Sequence, residues 1–291
     1  MKPAAFDYHR PAGTAEAVRL LSDLGDDAKV IAGGQSLLPI MNMRLAEPAH
    51  LVDVTGIAEL RQTTVDASGA RYGATTTHMR FEYQLVPDVT GGLLSRMAAG
   101  IGYQAIRNRG TVGGSLAHSD PSAEWPTVMA ALDAAVHVLS VRGMRRVPVR
   151  DLLLGFFSTA LEPDELIVDV EVGRLPASTR WGVCKTARKP GEFAESLAVA
   201  LMEHDATPRI RQPRLWLGAA ADTPVRLAGT ERLVEGHDVD AVTADDLVVP
   251  IAADLGADPG AGDPAARYVL HLHAVTVHRA LRAVHEEVSD E

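Results

Sequence analysis

Two paired-glycine segments constrain this chain most: Ala32-Gly-Gly-Gln-Ser36 and Arg107-Asn-Arg-Gly-Thr-Val-Gly-Gly-Ser115. Each puts adjacent glycines where an extended run is expected to end, followed by an amide or hydroxyl side chain. Adjacent glycines let a backbone come very close to a ligand, and positive φ costs them little. Successive free N–H groups in such a turn form a concavity that binds anions. Two in one chain suggest a ligand with a diphosphate, gripped from two sides. The glycines alone fit two tight turns equally well, because glycine pairs are common turn punctuation.

The length of 291 residues points to about two domains. A hydrophobic fraction of 46% is ample for packed cores. The net charge of −10 argues against non-specific nucleic-acid binding, which is driven by basic surface. No apolar run approaches the roughly 20 residues a membrane span needs. The N-terminus, Met-Lys-Pro-Ala-Ala-Phe-Asp-Tyr, lacks the apolar core of a signal peptide. A cytoplasmic protein without a transmembrane segment is expected. The single cysteine, Cys184, leaves no internal disulfide and no Cys-ligated iron–sulfur cluster in this chain, and it reads as a small buried apolar residue.

Along the chain, Thr14 reads as an N-cap for a helix carrying Ala17, Leu20, Leu21 and Leu24, closed by Gly25. Lys29–Ala32 is a short strand entering the first glycine pair, and 36–44 resembles a short helix. Strands are expected at 50–55 and 71–77, and a helix at 93–99. Residues 105–117 look extended, broken by a turn at Gly113-Gly114. A helix over 124–134 and a hairpin over 135–149, turning near Arg142-Gly143, come next. Leu166, Val168, Val170 and Val172 alternate as in a half-buried strand. Composition shifts near Gly173–Thr179, and a boundary is placed there. Beyond it come strands at 181–186, 197–203 and 213–220, connectors at 238–246 and 256–265, a long helix over 265–288 and an acidic, frayed tail at 286–291.

Other chemistries find little support. Gly100-Ile-Gly102-Tyr-Gln-Ala105 fits a dinucleotide pattern, but that pattern needs a strand before it and a helix after it. Here a helix precedes and an extended segment is expected to follow, so Gly100 reads as a helix C-terminal glycine. None of the 11 histidines forms H-x-x-x-H or pairs with a CxxC, so no metal site is expected. A G-x-S-x-G elbow is missing too, and no catalytic residue is assigned. Asp120-Pro-Ser-Ala-Glu124 also reads as a helix start, with Ser122 as cap and Glu124 favoured by the helix dipole.

The ordered set of motifs nevertheless resembles one family. Ala32-Gly-Gly-Gln-Ser-Leu-Leu-Pro39, Thr75-Thr-Thr-His78, Ile106-Arg-Asn-Arg-Gly-Thr-Val-Gly-Gly-Ser115 and Ala117-His-Ser-Asp-Pro-Ser-Ala-Glu-Trp-Pro126 are similar to the FAD-binding medium subunit of molybdenum hydroxylases. That family includes the carbon monoxide dehydrogenase medium subunit and the flavin domain of xanthine dehydrogenase. The resemblance continues through Leu161–Ile167, Lys185–Ala194 and Leu217–Arg226, and so covers essentially the whole chain in collinear order.

The resemblance implies an α+β fold. Residues 1–175 would form a two-subdomain FAD-binding domain of the vanillyl-alcohol oxidase/MurB type, split near 55–60. Residues 176–291 would form a CO-dehydrogenase-flavoprotein-like C-terminal domain, a three-stranded sheet with helices. FAD would be bound non-covalently. Ala32, Gly33, Gly34, Gln35, Ser36 and Leu37 would wrap the diphosphate and reach toward the flavin; Thr111, Gly113, Gly114 and Ser115 would be the second grip. Glu124 would accept hydrogen bonds from ribityl or ribose hydroxyls. Ile167 would touch the adenine or the flavin edge, and Lys185 would lie near the isoalloxazine, favouring the anionic reduced flavin. Ile101 stands where xanthine dehydrogenase has an aromatic over the ring, with Phe193 and Tyr103 as candidates for that stack. Val183 also stands where an aromatic is common.

Flavin chemistry belongs to the cofactor, which the protein holds and tunes. The resemblance therefore implies an electron-transfer subunit without a nucleophile or metal ligand of its own. Molybdopterin and [2Fe-2S] clusters would reside on a large and a small partner subunit, assembled as a dimer of heterotrimers. The alternative is a stand-alone FAD protein or non-catalytic flavin-binding module of the same fold. Met41, Met43 and Leu45 beside Arg44 fit either an interface core or ordinary packing.

Overall fold

The computed structural model describes residues 2–204, 207–259 and 263–285. The chain divides into two compact units. One comprises the residues up to Asp120 together with Asp133–Arg174; the other comprises Pro121–Leu132 and the chain from Leu175 onward. Residues 121–132 thus pack with the second unit, which the chain enters for good only after Arg174.

The first unit opens with β1 (Asp7–His9), α1 (Thr14–Leu24), β2 (Ala28–Ile31), α2 (Leu37–Asn42) and β3 (His50–Asp53). The strands form a parallel sheet in the order β1-β3-β2. Helical spacing puts Ala17, Val18 and Leu21 on one face of α1, where they join a core with Ala28, Val52, Val54 and Ile57. Gly25, at φ 58, ends α1 as expected. The N-cap is Gly13 rather than Thr14, and no side chain caps it.

Next come β4 (Thr63–Val65), β5 (Gly69–Gly73), α3 (His78–Glu82), α4 (Leu93–Ala99), α5 (Gln104–Arg107) and α6 (Val112–His118). The stretch expected to be extended over 105–117 is therefore two short helices. Glycine propensity argued against a helix there, but the Thr111 cap and tertiary packing outweigh it. Gly100 does stand at the C-cap of α4, though a helix rather than an extended run follows the GxG pattern. After α7 (Glu124–Ala131) come β6 (Ala135–Ser140), β7 (Gly143–Pro148), α8 (Val149–Leu152), β8 (Leu153–Gly155), β9 (Ser158–Thr159) and β10 (Leu166–Gly173).

The sheet order is β4-β5-β10-β6-β7, with β10 antiparallel to both neighbours. A bulge between Ile167 and Asp169 breaks the expected alternation, so Leu166 and Ile167 are both buried.

The second unit takes α7 and adds β11 (Thr179–Thr186), β12 (Ser196–Glu203), β13 (Arg214–Gly218), β14 (Val225–Arg226), α9 (Ala228–Val234), α10 (Ala244–Asp254) and α11 (Pro264–Ala283). Its sheet runs β11-β12-β13-β14, four strands rather than the expected three; the fourth is only two residues long. Ser196–Met202 of β12 are buried because helices cover both faces. On one face Gly218 leaves no room for a Cβ, which would lie 2.1 Å from Thr127 Oγ1 of α7. On the other, a Cβ on Gly182 would lie 2.0 Å from the Ala280 carbonyl of α11.

The expected connector at 238–246 opens a helix instead. Thr243 and Asp246 form a reciprocal capping box for α10. At α11, Asp263 caps and Pro264 takes the first turn. The acidic tail at 286–291 lies outside the described residues.

Candidate functional site

β2 delivers Ala32 into the first glycine turn. Gly33 is buried, and a Cβ on it would lie 2.2 Å from the Arg109 carbonyl oxygen and 2.8 Å from Gly110 Cα. Only glycine lets these two backbones touch, so the fold brings the two glycine segments together. Gly34 adopts φ 72, the left-handed region that a turn of this kind needs. The Gln35 amide donates to the Gly33 carbonyl at 2.9 Å and closes the turn. The backbone N–H groups of Gly33, Gly34, Gln35, Ser36 and Leu37 find no acceptor among the described residues; the next amide, that of Leu38, donates to the Gly34 carbonyl and starts α2. Five consecutive amides without protein acceptors fit an anionic group such as a diphosphate.

The second glycine pair works differently from the expectation. Gly113 and Gly114 lie in the first turn of α6 and neither has positive φ. Their amides are engaged: Val112 N–H donates to the Thr76 carbonyl, Gly113 N–H to the Ala74 carbonyl, Gly114 N–H to Thr111 Oγ1 at 3.1 Å and Ser115 N–H to the Thr111 carbonyl. This segment is not a second concavity of free amides. Gly113 serves packing, since its Cβ would lie 2.7 Å from the Ala74 carbonyl oxygen. Gly114 serves clearance: it is exposed, and its Cβ would meet only Thr111 Oγ1 at 2.8 Å and Ala32 Cβ at 3.8 Å. A side chain there would grow beside Ala32, the residue that leads into the first turn.

The remaining candidates of the first unit are Ile101, buried just beyond α4, and Ile167, buried at the β10 bulge. Tyr103 is exposed. His78, behind Gly110, donates its amide to the Gly110 carbonyl. Burial, with the Arg107 charge adding to it, pushes the His78 imidazole down to about 3, so it is neutral at physiological pH.

In the second unit, strand alternation sends Lys185 of β11 toward α7 and its neighbours Cys184 and Thr186 toward α11. Lys185 Nζ donates to Glu124 Oε1 at 2.6 Å. The Lys185 charge is thus paired, and Glu124 already accepts from a protein donor. Ser122 does not cap α7; the N-cap is Ala123, without a side-chain bond. Phe193 is exposed and Cys184 packs at the edge of the α11-side core.

No group of three or more His, Cys, Asp or Glu among the described residues is arranged to hold a metal ion. No helix among them is long and apolar enough to cross a membrane. Sequence reasoning passed over Ala74 and the Arg109 backbone, which shape the cradle, and Arg107 and Glu82. Arg107 and Arg109 sit inside the second glycine motif, the one signal that could have found them.

Residues 4–175 match the family described as the FAD binding domain in molybdopterin dehydrogenase, and residues 182–284 match the CO dehydrogenase flavoprotein C-terminal domain. The chain is 39% identical over 242 residues to the nicotine 6-hydroxylase medium subunit of Paenarthrobacter nicotinovorans, covering 82% of this chain and 83% of that one. It is 32% identical over 281 residues to the carbon monoxide dehydrogenase medium chain of Afipia carboxidovorans, covering 97% of each. A crystal structure of quinoline 2-oxidoreductase from Pseudomonas putida 86 superimposes with a TM-score of 0.85 at 32% identity, covering 98% of this chain and 99% of that one. This chain therefore belongs to the FAD-binding medium subunits of the molybdenum hydroxylases, as an oxidoreductase subunit.

Proposed function

We propose that this chain binds one FAD non-covalently and relays electrons from a partner's [2Fe-2S] cluster to an external acceptor, within a complex whose molybdopterin lies on a large subunit. The run of unpaired amides from Gly33 to Leu37 carries the reading, because it suits an anion and follows directly on Ala32, whose Cβ would lie 3.8 Å from a Cβ on Gly114. When bound, FAD supplies the exchange between one-electron and two-electron transfer that such a relay requires.

This chain's residues bind and orient. Ala32, Gly33, Gly34, Gln35, Ser36 and Leu37 cradle the diphosphate. Gly113 holds α6 in place, Gly114 leaves room, and Thr111 and Ser115 line the second grip with their hydroxyl groups. Ile101 and Ile167 offer apolar contact to the ring system. Glu124 would accept from ribityl or ribose hydroxyls, while Lys185 presents a charge tempered by its partner. The clusters and the molybdenum centre belong to a small and a large subunit, two copies of each with two of this chain. Names of relatives such as nicotine 6-hydroxylase and quinoline 2-oxidoreductase support an N-heterocyclic substrate on the large subunit, while those of carbon monoxide dehydrogenases support a smaller one.

The test is purification of the full chain with FAD, followed by acid precipitation. A yellow supernatant with one FAD per chain is expected. Flavin left in the pellet would exclude non-covalent binding, and a folded chain that never takes up flavin would exclude the reading. Co-purification from the native source with molybdenum and iron is expected; a chain recovered alone, with full flavin turnover on an organic substrate, would favour the stand-alone alternative.

A further inference from the structure

A guanidinium carries five N–H donors in a rigid fork. In Arg107 all five have acceptors. Nε and Nη2 donate to the two carboxylate oxygens of Glu82 at 2.7 and 3.0 Å. Nη1 donates to the carbonyls of Ile101 and Gly102 at 3.2 and 2.9 Å. Nη2 also donates to Gln104 Oε1 at 3.0 Å. Both members of the ion pair are only 13% exposed. The carbonyls it holds belong to the loop just beyond Gly100, the C-cap of α4. Gly102 adds a fixed bend there, at φ 52, folded over the Ile106 side chain.

The same arginine closes α5, and three residues later the chain reaches Gly110. The Gly110 amide returns to the Ile106 carbonyl at 2.7 Å, and its carbonyl takes the His78 amide. Arg107 thus ties two segments together: the loop that carries Ile101, and the strap that runs into the Thr111 cap of α6. Glu82 is held in turn from behind, since its carbonyl accepts from Ser95 Oγ of α4.

We propose that Arg107, with Glu82, is a positioning pair that fixes the Ile101–Gly102 loop against the flavin ring, and so sets the ring's surroundings rather than the anchorage of the diphosphate. This rests on the reading that the chain binds FAD with Ile101 at the ring. The geometry leaves little tolerance. A lysine at 107 keeps the charge, but a point-charge ammonium cannot fork a carboxylate and bridge two successive carbonyls at once.

The experiment uses the full chain loaded with FAD, as wild type, Arg107→Lys, Glu82→Gln and Gly114→Ala. Dissociation constants come from FAD titration. Ring surroundings are read from visible circular dichroism, flavin fluorescence yield and the midpoint potential in a dithionite titration against a reference dye. Arg107→Lys is expected to change Kd by no more than about threefold, while altering fluorescence yield by at least about twofold and moving the potential. Gly114→Ala is expected to show the reverse split, with Kd weakened by more than about tenfold and a wild-type dichroism in whatever flavin is bound. Wild-type ring signals and potential in Arg107→Lys would overturn the proposal, as would a loss of affinity as large as that of Gly114→Ala. If Arg107→Lys does not fold, Glu82→Gln decides, because it loosens the same fork while keeping its shape; unchanged ring signals there overturn it equally. A wild-type chain that binds no FAD would overturn the functional reading itself, and with it this inference.

Discussion

Lys185 Nζ and Glu124 Oε1 lie 2.6 Å apart, joining β11 to α7 across one face of the second unit's sheet. The side chains are largely withdrawn from water, at 19% and 5% exposure. A short carboxylate–ammonium contact of this kind is strong once formed, and removing one partner leaves the other charge poorly solvated. What either residue presents to a ligand is therefore the field of a pair.

A double-mutant cycle measures that coupling. Glu124→Gln and Lys185→Met are each expected to destabilise the chain by as much as about 3 kcal/mol, and the double variant by clearly less than the sum. Denaturant midpoints read the cycle. Additive losses would mean that the two groups do not depend on each other. In the FAD-loaded chain, Glu124→Gln should also raise the flavin midpoint potential, because the pair then loses its negative charge; an unmoved potential would place the pair away from the ring.

The glycines separate into those that serve the fold and those that serve the ligand. Gly33→Ala and Gly113→Ala should cost stability, since the new Cβ would overlap backbone atoms of Arg109 and Ala74. Gly114→Ala should cost less than either, because alanine favours a helical position and its Cβ meets side chains rather than backbone: Thr111 Oγ1 at 2.8 Å, which must give way, and Ala32 Cβ at 3.8 Å. It should nonetheless weaken FAD binding. Equal thermal losses in all three, or undiminished flavin content in Gly114→Ala, would contradict this division.

The sequence carried the first glycine turn well, because a short strand running into Gly33-Gly34 marks a tight turn, and glycine takes up at little cost the left-handed conformation that Gly34 shows. It misread the second. Gly113-Gly114 looked like a break in an extended run, yet Thr111 caps a helix there and Ala74 packs against it from a segment some forty residues earlier in the chain, which no local pattern reports. The helices at 228–234 and 244–254 were hidden for a similar reason. Asp254 caps the first of them from the second, accepting the Gly229 and Thr230 amides. The Lys185–Glu124 pair was illegible because its members come from an excursion and a strand 61 positions apart. Strand alternation aims Lys185 at one face, but only the fold decides that α7 covers it.

Acid should loosen the second unit. His273 of α11 is bonded to Ser196 Oγ at 2.8 Å, and burial pushes its imidazole down to about 4. An unfolded chain takes up that proton near the ordinary value of about 6.5. Between those values the unfolded state holds more protons, so stability is full above about pH 6.5 and falls as the pH drops toward about 4. Trp125, Trp181 and Trp216, the chain's 3 tryptophans, all lie in this unit, so tryptophan fluorescence isolates its unfolding. His273→Gln should show a smaller drop in denaturant midpoint between pH 7.5 and 5 than the wild type. An identical drop would remove His273 as the titrating group.

The two methionines flanking Asn42 divide core from surface. Met41 of α2 is 2% exposed and Met43, just past the helix, is 50% exposed, with Leu38 and Leu45 exposed beside it. This apolar surface adjoins the segment whose amides are proposed to hold the diphosphate, and Arg44 lies within it with its guanidinium turned to the Lys2 carbonyl. Apolar surface next to an arginine is a composition found at interface cores. Met43→Glu should therefore leave solubility, melting temperature and FAD content unchanged while reducing capture of the iron–sulfur subunit in a co-expression pull-down. Met41→Glu should do the opposite, costing the fold itself, because a carboxylate there would be buried without a partner. Loss of flavin or solubility in Met43→Glu would make this patch part of the core. Undiminished capture would put the docking surface elsewhere on the chain.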